Sequence, residues 1–214
     1  MEKGIELKLN AEYILAGDIS YSMNHNDKAC GGVTRYEYML EKFKLFIKTA
    51  EDFDAEHGAP TIMLFGENVH TFEHCKLEHI DKELSRVNFE GMTNLDKLLD
   101  AAFDLHREEV IEKRNEGTEH PGTILIVFTD GDPSNKPAVK RSLERIVKSI
   151  STAEEFQIIF LIVGSVDAAL EHYLNSLHDD LENERINPND FDIIHVQPLE
   201  GTTFYGAVGA KDHD

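Results

Sequence analysis

Basic residues are scarce in this chain: 21 Lys and Arg stand against 41 Asp and Glu in 214 residues, a formal charge of -20. Such a chain repels a phosphate backbone unless a local basic patch offsets it, and none stands out, so nucleic acid is not an expected partner. Cysteine is nearly absent too. Cys30 and Cys75 lie far apart and outside any C-x-x-C pair, which fits reduced thiols in a cell interior better than a disulfide framework. No apolar run exceeds strand length, and Met1-Glu-Lys-Gly leads into no apolar stretch. Neither a membrane span nor a signal peptide is therefore expected, and the expected location is cytoplasmic. No Pro/Gly/Ser-rich linker interrupts the middle, and the length suits one sizeable core. A single domain is expected over residues 1–214, with its core at about 11–199 and a partly flexible C-terminal extension at 200–214. Also missing are the glycine motifs Gly-x4-Gly-Lys-Ser/Thr, Gly-x-Gly-x-x-Gly and Gly-x-Ser-x-Gly, which argues against the common phosphate-cradling and nucleophile-elbow enzymes.

What is present is an alternation of short apolar runs with longer amphipathic stretches. Apolar runs at 13–17, 61–65, 69–72, 123–128, 156–163 and 191–196 read as strands. Between residues 34 and 53, Tyr36, Met39, Leu40, Phe43, Phe46, Ile47, Ala50 and Phe53 form one helical face, opened by a Thr34/Glu37 capping box. That aromatic stripe is core material. The polar gap Gly66-Glu-Asn predicts a hairpin whose second member is antiparallel. Helices are further expected from Asn94 through Leu105, after Pro137 through Ile150, and from an Asp167 cap to about Leu177. Ala210-Lys-Asp-His-Asp reads as a frayed end. The fold class is thus α/β: a doubly wound, Rossmann-like, mostly parallel six-stranded sheet with one antiparallel edge strand and helices on both faces.

Polar clusters sit at the ends of these runs or on adjacent loops: Asp18-Ile-Ser-Tyr-Ser, Gly91-Met-Thr-Asn and Thr129-Asp-Gly-Asp. In a doubly wound sheet the functional crevice lies beyond the carboxyl ends of the strands. Carboxylate and hydroxyl oxygens are hard donors, and about six of them, water included, suit a small divalent cation. Alternation along an extended loop would turn Asp18, Ser20 and Ser22 to one side and Ile19 and Tyr21 to the other. Asp130 can join from a neighbouring strand, and Thr93 from another loop.

Asp18-x-Ser20-x-Ser22-Met23, Gly91-Met-Thr93-Asn-Leu and Thr129-Asp130-Gly131, in this order, resemble the metal-ion-dependent adhesion site of von Willebrand factor type A domains, across roughly residues 11–199. The resemblance implies Ser20, Ser22 and Thr93 as hydroxyl ligands, and Asp18 and Asp130 as ligands directly or through water. It leaves a coordination position for an Asp or Glu of a protein partner. It implies a stand-alone intracellular module of bacterial or phage type, without catalytic residues, holding magnesium, with manganese or calcium as alternatives. Similar proteins belong to stress-response, chaperone-like or assembly systems, some working beside an AAA+ ATPase. The chain departs from the family at Tyr21, where Gly is usual, and in a long polar stretch after Met23. Tyr21, His25, Asp27 and Cys30 are the candidate rim and partner contacts.

Plainer readings compete with several of these. Thr93 also suits a helix N-cap, and Asp132, a further candidate rim or partner contact, reads as a turn residue before Pro133 rather than a second ligand. His70, His74, Cys75 and His79 invite a zinc site, but their spacing matches no tight Cys/His finger, and a polar edge strand is preferred. Two other functions are compatible with a cation in the crevice. One is a metal-dependent hydrolase or phosphotransferase, for which His25 near Ser22 is a candidate base that nothing orients. The other is a structural subunit in which the ion locks an interface.

Overall fold

The computed structural model describes residues 11–53, 59–84, 88–165, 168–183 and 191–208. Six strands, β1 (Glu12–Asp18), β2 (Thr61–Phe65), β3 (Val69–Phe72), β4 (Thr123–Thr129), β5 (Phe156–Ile162) and β6 (Ile194–Pro198), form one sheet in the order β3-β2-β1-β4-β5-β6. All neighbours are parallel except β2 and β3, which pair antiparallel around Gly66-Glu67-Asn68. The hairpin and the antiparallel edge strand therefore fall where the short polar gap placed them. β4 and β5 are buried along their whole length, as strands covered on both faces require.

Side-chain alternation sends each strand's residues into two separate cores. Tyr13, Leu15, Ile62, Leu64, Ile126 and Phe128 face α1 (Arg35–Phe53) and the short α2 (Leu77–Leu84). Ile14, Ala16, Met63, Leu125, Val127 and Phe160 face α3 (Leu95–Glu116), α4 (Lys136–Ser149) and α5 (Ala168–Asn183). On the first face Phe43 and Phe46 meet Phe128 edge-on, with centroids 5.1 and 5.3 Å apart. The capping box forms at the head of α1: Glu37 N–H donates to Thr34 Oγ1 at 3.1 Å, and Thr34 N–H donates to Glu37 Oε2 at 2.9 Å. A single-turn helix, α6 (Phe204–Ala207), follows β6.

Several boundaries differ from the sequence reading. β6 runs over 194–198 rather than 191–196, because its register is fixed by β5, which pairs Ile158 with Ile194 and Ile162 with Pro198. α3 continues well past Leu105, although its later turns are largely polar, and stops at Gly117 in the left-handed conformation (φ 77°). α2, which buries Ile80 and Leu84, was not anticipated. The Asp167 cap and the Ala210–Asp214 end lie outside the described residues.

Candidate metal centre

From β1 the chain runs to β2 and then β3 on one side, whereas β4 pairs with β1 on the other. The strand order reverses between β1 and β4, and the carboxyl ends of these two strands define the crevice. Asp18 is the last residue of β1, and Asp130 follows the last residue of β4.

Beyond Asp18 the backbone stays extended for two residues: Ile19 N–H donates to Phe65 O at 2.9 Å, and Glu90 N–H donates to Ile19 O at 2.8 Å. It then enters a 3-10 helix over Tyr21–Asn24. Ser22 is thus delivered by a helical turn and not by strand-like alternation, as the sequence reading had it. Ile19 and Met23 are buried beneath the loop while Tyr21 points outward, 63% exposed. The result is a chain of oxygens. Ser20 N–H donates to Asp18 Oδ1 at 2.7 Å, Ser20 Oγ and Ser22 Oγ lie 3.0 Å apart, and Ser22 Oγ donates to Asp130 Oδ1 at 2.8 Å. Thr129 Oγ1 donates to the other oxygen of Asp18 at 2.7 Å.

Thr93 completes the group from the loop before α3. A Cβ placed on Gly131 would stand 3.7 Å from Ser22 Oγ and 3.9 Å from Thr93 Oγ1, so both hydroxyls face that glycine. The N-cap of α3 is Asn94, which removes the competing role for Thr93. Ser134, a residue sequence reasoning passed over, holds Thr93 in place. Its Oγ accepts from Thr93 N–H and its N–H donates to Thr93 O, both at 3.0 Å.

Asp18 is completely buried, and its hydrogen-bond donors are uncharged. Burial, then the nearby Asp130 charge, push its carboxyl up to about 7. A carboxylate kept in this setting calls for a cation. Two acids and three hydroxyls are hard oxygen ligands of the kind that magnesium and manganese take. No cluster of three or more His, Cys, Asp or Glu forms a metal site among the described residues; the donor set here is mainly hydroxyl. His70 Nε2 instead pairs with Glu90 Oε1 at 2.9 Å, and Cys75 is buried in the core.

The rim differs from expectation at two places. Asp27 is turned inward and saturated: its Oδ1 accepts from Ala29 N–H at 2.9 Å and Ser165 Oγ at 2.6 Å, and its Oδ2 from Ser165 N–H and Arg35 Nε, both at 3.0 Å. Ser165 first, against the opposing effect of burial, holds its carboxyl far below the usual range. Cys30 is likewise buried, in the α1-side core. Tyr21 and His25 are exposed on the rim, joined by Met92, which is 50% exposed. Asp132 is exposed, outside the turn formed by Ser134 and Asn135, and accepts from Lys136 Nζ at 2.8 Å. Arg35 was also missed: its Nη1 donates to Asp130 Oδ2 at 2.7 Å. The available signal was its sign, since a cation in the first turn of a helix opposes the macrodipole.

No protein-family model matches the sequence, and no curated protein matches it. Solved structures do match. A point mutant of the PilB minor pilin from Streptococcus sanguinis aligns with 95% of this chain at 12% identity and a TM-score of 0.56. This chain spans 60% of that pilin's length. The manganese-loaded TRAP protein of Plasmodium vivax aligns with 94% of this chain and 74% of its own at 13% identity and a TM-score of 0.51. At such identities the likeness is one of fold, and the fold is a von Willebrand factor A-like α/β sheet.

Proposed function

We propose that this chain is a divalent-cation-dependent protein-binding domain whose metal-ion-dependent adhesion site is formed by Asp18, Ser20, Ser22, Thr93 and Asp130. The observation that carries this reading is a fully buried Asp18 linked through Ser20 and Ser22 to Asp130 at the point where the strand order reverses. Magnesium is the expected ion, with manganese or calcium as alternatives; the manganese in the TRAP structure supports this class of ion. A bound divalent cation supplies a Lewis-acidic position that an Asp or Glu of a protein partner can occupy.

The chain's own residues set up that position. Ser20 N–H and Thr129 Oγ1 orient the Asp18 carboxylate, and Ser22, beside Ser20 Oγ, donates to Asp130. Ser134 fixes Thr93 opposite them. Tyr21 and Met92 present apolar surface around the mouth, suited to the aliphatic or aromatic neighbours of a partner's acid. We assign no catalytic residue, and place the domain in the cytoplasm without nucleic-acid or membrane contacts. An AAA+ ATPase or a stress-response or assembly component is the partner class we favour.

The test is a manganese titration of the metal-free protein followed by electron paramagnetic resonance, beside affinity capture from native lysate in magnesium and in EDTA. Saturable manganese binding that Asp18→Ala abolishes, together with partners lost in EDTA, is the expected outcome. Equal manganese binding by the wild type and Asp18→Ala would refute the reading.

A further inference from the structure

Arg35 is the first residue of α1, where its charge is unfavourable to the helix. What holds it there is a pair of carboxylates. Nη1 donates to Asp130 Oδ2 at 2.7 Å, while Nε and Nη2 both lie 3.0 Å from Asp27 Oδ2. The planar fork of a guanidinium suits this two-sided contact, and an ammonium would serve it as a point charge only. Burial works against the guanidinium's charge, but the bonds to Asp130 and Asp27 outweigh it and raise its pKa.

The clamp is itself anchored. Asp27 takes both the N–H and the hydroxyl of Ser165, from the loop that follows β5. Gly164 packs directly on the ion pair: with φ of 85°, a Cβ there would fall 2.8 Å from Asp27 Oδ2 and 2.9 Å from Arg35 Nε. Only glycine fits both that backbone and that space. Arg35 is therefore not a surface side chain that drifted toward an acid.

With Ser22 on one oxygen and Arg35 on the other, both oxygens of Asp130 are engaged by the protein. The donors of Asp18, by contrast, are uncharged. The two acids of the site are thus unequal, and the guanidinium makes them so. We propose that Arg35 is a positioning residue of the cation site, holding Asp130 back from direct ligation so that the ion's charge is left for a partner's carboxylate. This rests on the metal-dependent reading above and adds to it the residue that sets how strongly the site prefers an acidic ligand. Arg35 also offsets one carboxylate of the local cluster, so its removal makes the crevice more negative.

The consequence separates two quantities that ordinary damage moves together. Arg35→Gln should bind manganese roughly tenfold more tightly, since one charge a few ångströms away is worth at least that factor at a partly buried site. The same variant should carry one fewer water on the ion, because Asp130 is released to bind it. Asp27→Asn leaves Arg35 on Asp130 with less compensation, and should bind manganese more weakly than wild type. Arg35→Lys keeps the charge and should retain the wild-type water count.

The experiment is a titration of the full metal-free chain with manganese alone, with coordinated water counted by pulsed electron paramagnetic resonance in isotope-labelled water. Opposite shifts in Arg35→Gln and Asp27→Asn, with a water lost in the first, support the assignment. If wild type binds manganese and Arg35→Gln binds it equally or more weakly with its waters intact, Arg35 is structural and the inference fails alone. Should Arg35→Gln not fold, Asp27→Asn binding as tightly as wild type, or tighter, overturns it. If the wild-type site takes no manganese, the parent reading falls and this one falls with it.

Discussion

A buried carboxylate without a cationic partner destabilises the fold that holds it, by several kcal/mol per ion even after relaxation. Asp18 stands in that position in the metal-free chain. Asp18→Asn keeps an oxygen for Ser20 N–H and removes the charge, so it should stabilise the metal-free protein by about 1–3 kcal/mol while abolishing its stabilisation by magnesium. Urea denaturation in EDTA and in magnesium reads both effects; a variant less stable than wild type in EDTA would contradict the argument. A second residue gives a pH dependence remote from the crevice. His106 is buried, with Nδ1 2.9 Å from Thr123 Oγ1, the His120 ring perpendicular to it at 5.1 Å, and Glu155 Oε1 3.9 Å from Nε2. Glu109 faces that second ring, 3.5 Å from His120 Nε2. Burial first, then His120, lower the pKa of His106 from 6.5 to about 4. Below 6.5 the unfolded chain takes up a proton that the folded chain refuses, so this stability is present above that pH and is lost as pH falls through about 4. The loss amounts to roughly 3 kcal/mol at most, and His106→Asn should flatten that part of the pH profile of denaturation midpoints. At this scale the gathering of Asp18, Ser20, Ser22, Thr93 and Asp130 beside one crevice was legible because a short pattern at a strand end fixes where such residues emerge. Asp27, Ser134 and Ser165 were not, since their roles depend on segments that meet only in three dimensions.

Elements carry the next level of argument, and α1 matters most because its first turn supplies Arg35. Thr34→Ala deletes the hydroxyl that accepts from Glu37 N–H and should lower stability by about 1 kcal/mol, the usual cost of a lost N-cap side chain. Chemical denaturation checks this, and no measurable loss would show the box to be ornamental. Legibility at this scale followed the strength of the periodicity. α1 and the hairpin were recovered almost to the residue, because an eight-membered apolar stripe and a three-residue polar gap admit few alternatives. α2 escaped because eight residues hold barely two turns of pattern. β6 was shifted because Phe191 to Ile193 is as apolar as the true strand, and only pairing with β5 decides between them. The far half of α3 was hidden for the opposite reason: it is largely polar, and helix there continues from the buried half.

For the whole molecule the governing quantity is charge. At -20 the chain repels itself, so a monovalent salt at about 0.2 M should raise the thermal midpoint by screening alone. Magnesium should add a separate increment that Asp18→Ala lacks, growing as RT ln(1 + [L]/Kd) and reaching about 2.7 kcal/mol at a hundredfold excess over Kd. A differential thermal scan at constant ionic strength divides the two. Identical magnesium increments in wild type and variant would mean that only screening is at work. The doubly wound layout was legible at this scale because the alternation of strands and helices is a property of the entire sequence, insensitive to errors at any one boundary.

The bonds from Ser22 to Asp130 and from Asp27 to Ser165 join positions 108 and 138 residues apart. The β1–β4 ladder closes loops of similar length, and long closures are slow when a chain folds. The crevice between β1 and β4 therefore takes shape only once distant parts of the chain have met. Until β4 has paired with β1, Asp18 and Asp130 are not held beside one another, and the loop after β5 then anchors Asp27 through Ser165. On the proposed reading, binding of metal would report that β4, from the second half of the chain, has paired with β1.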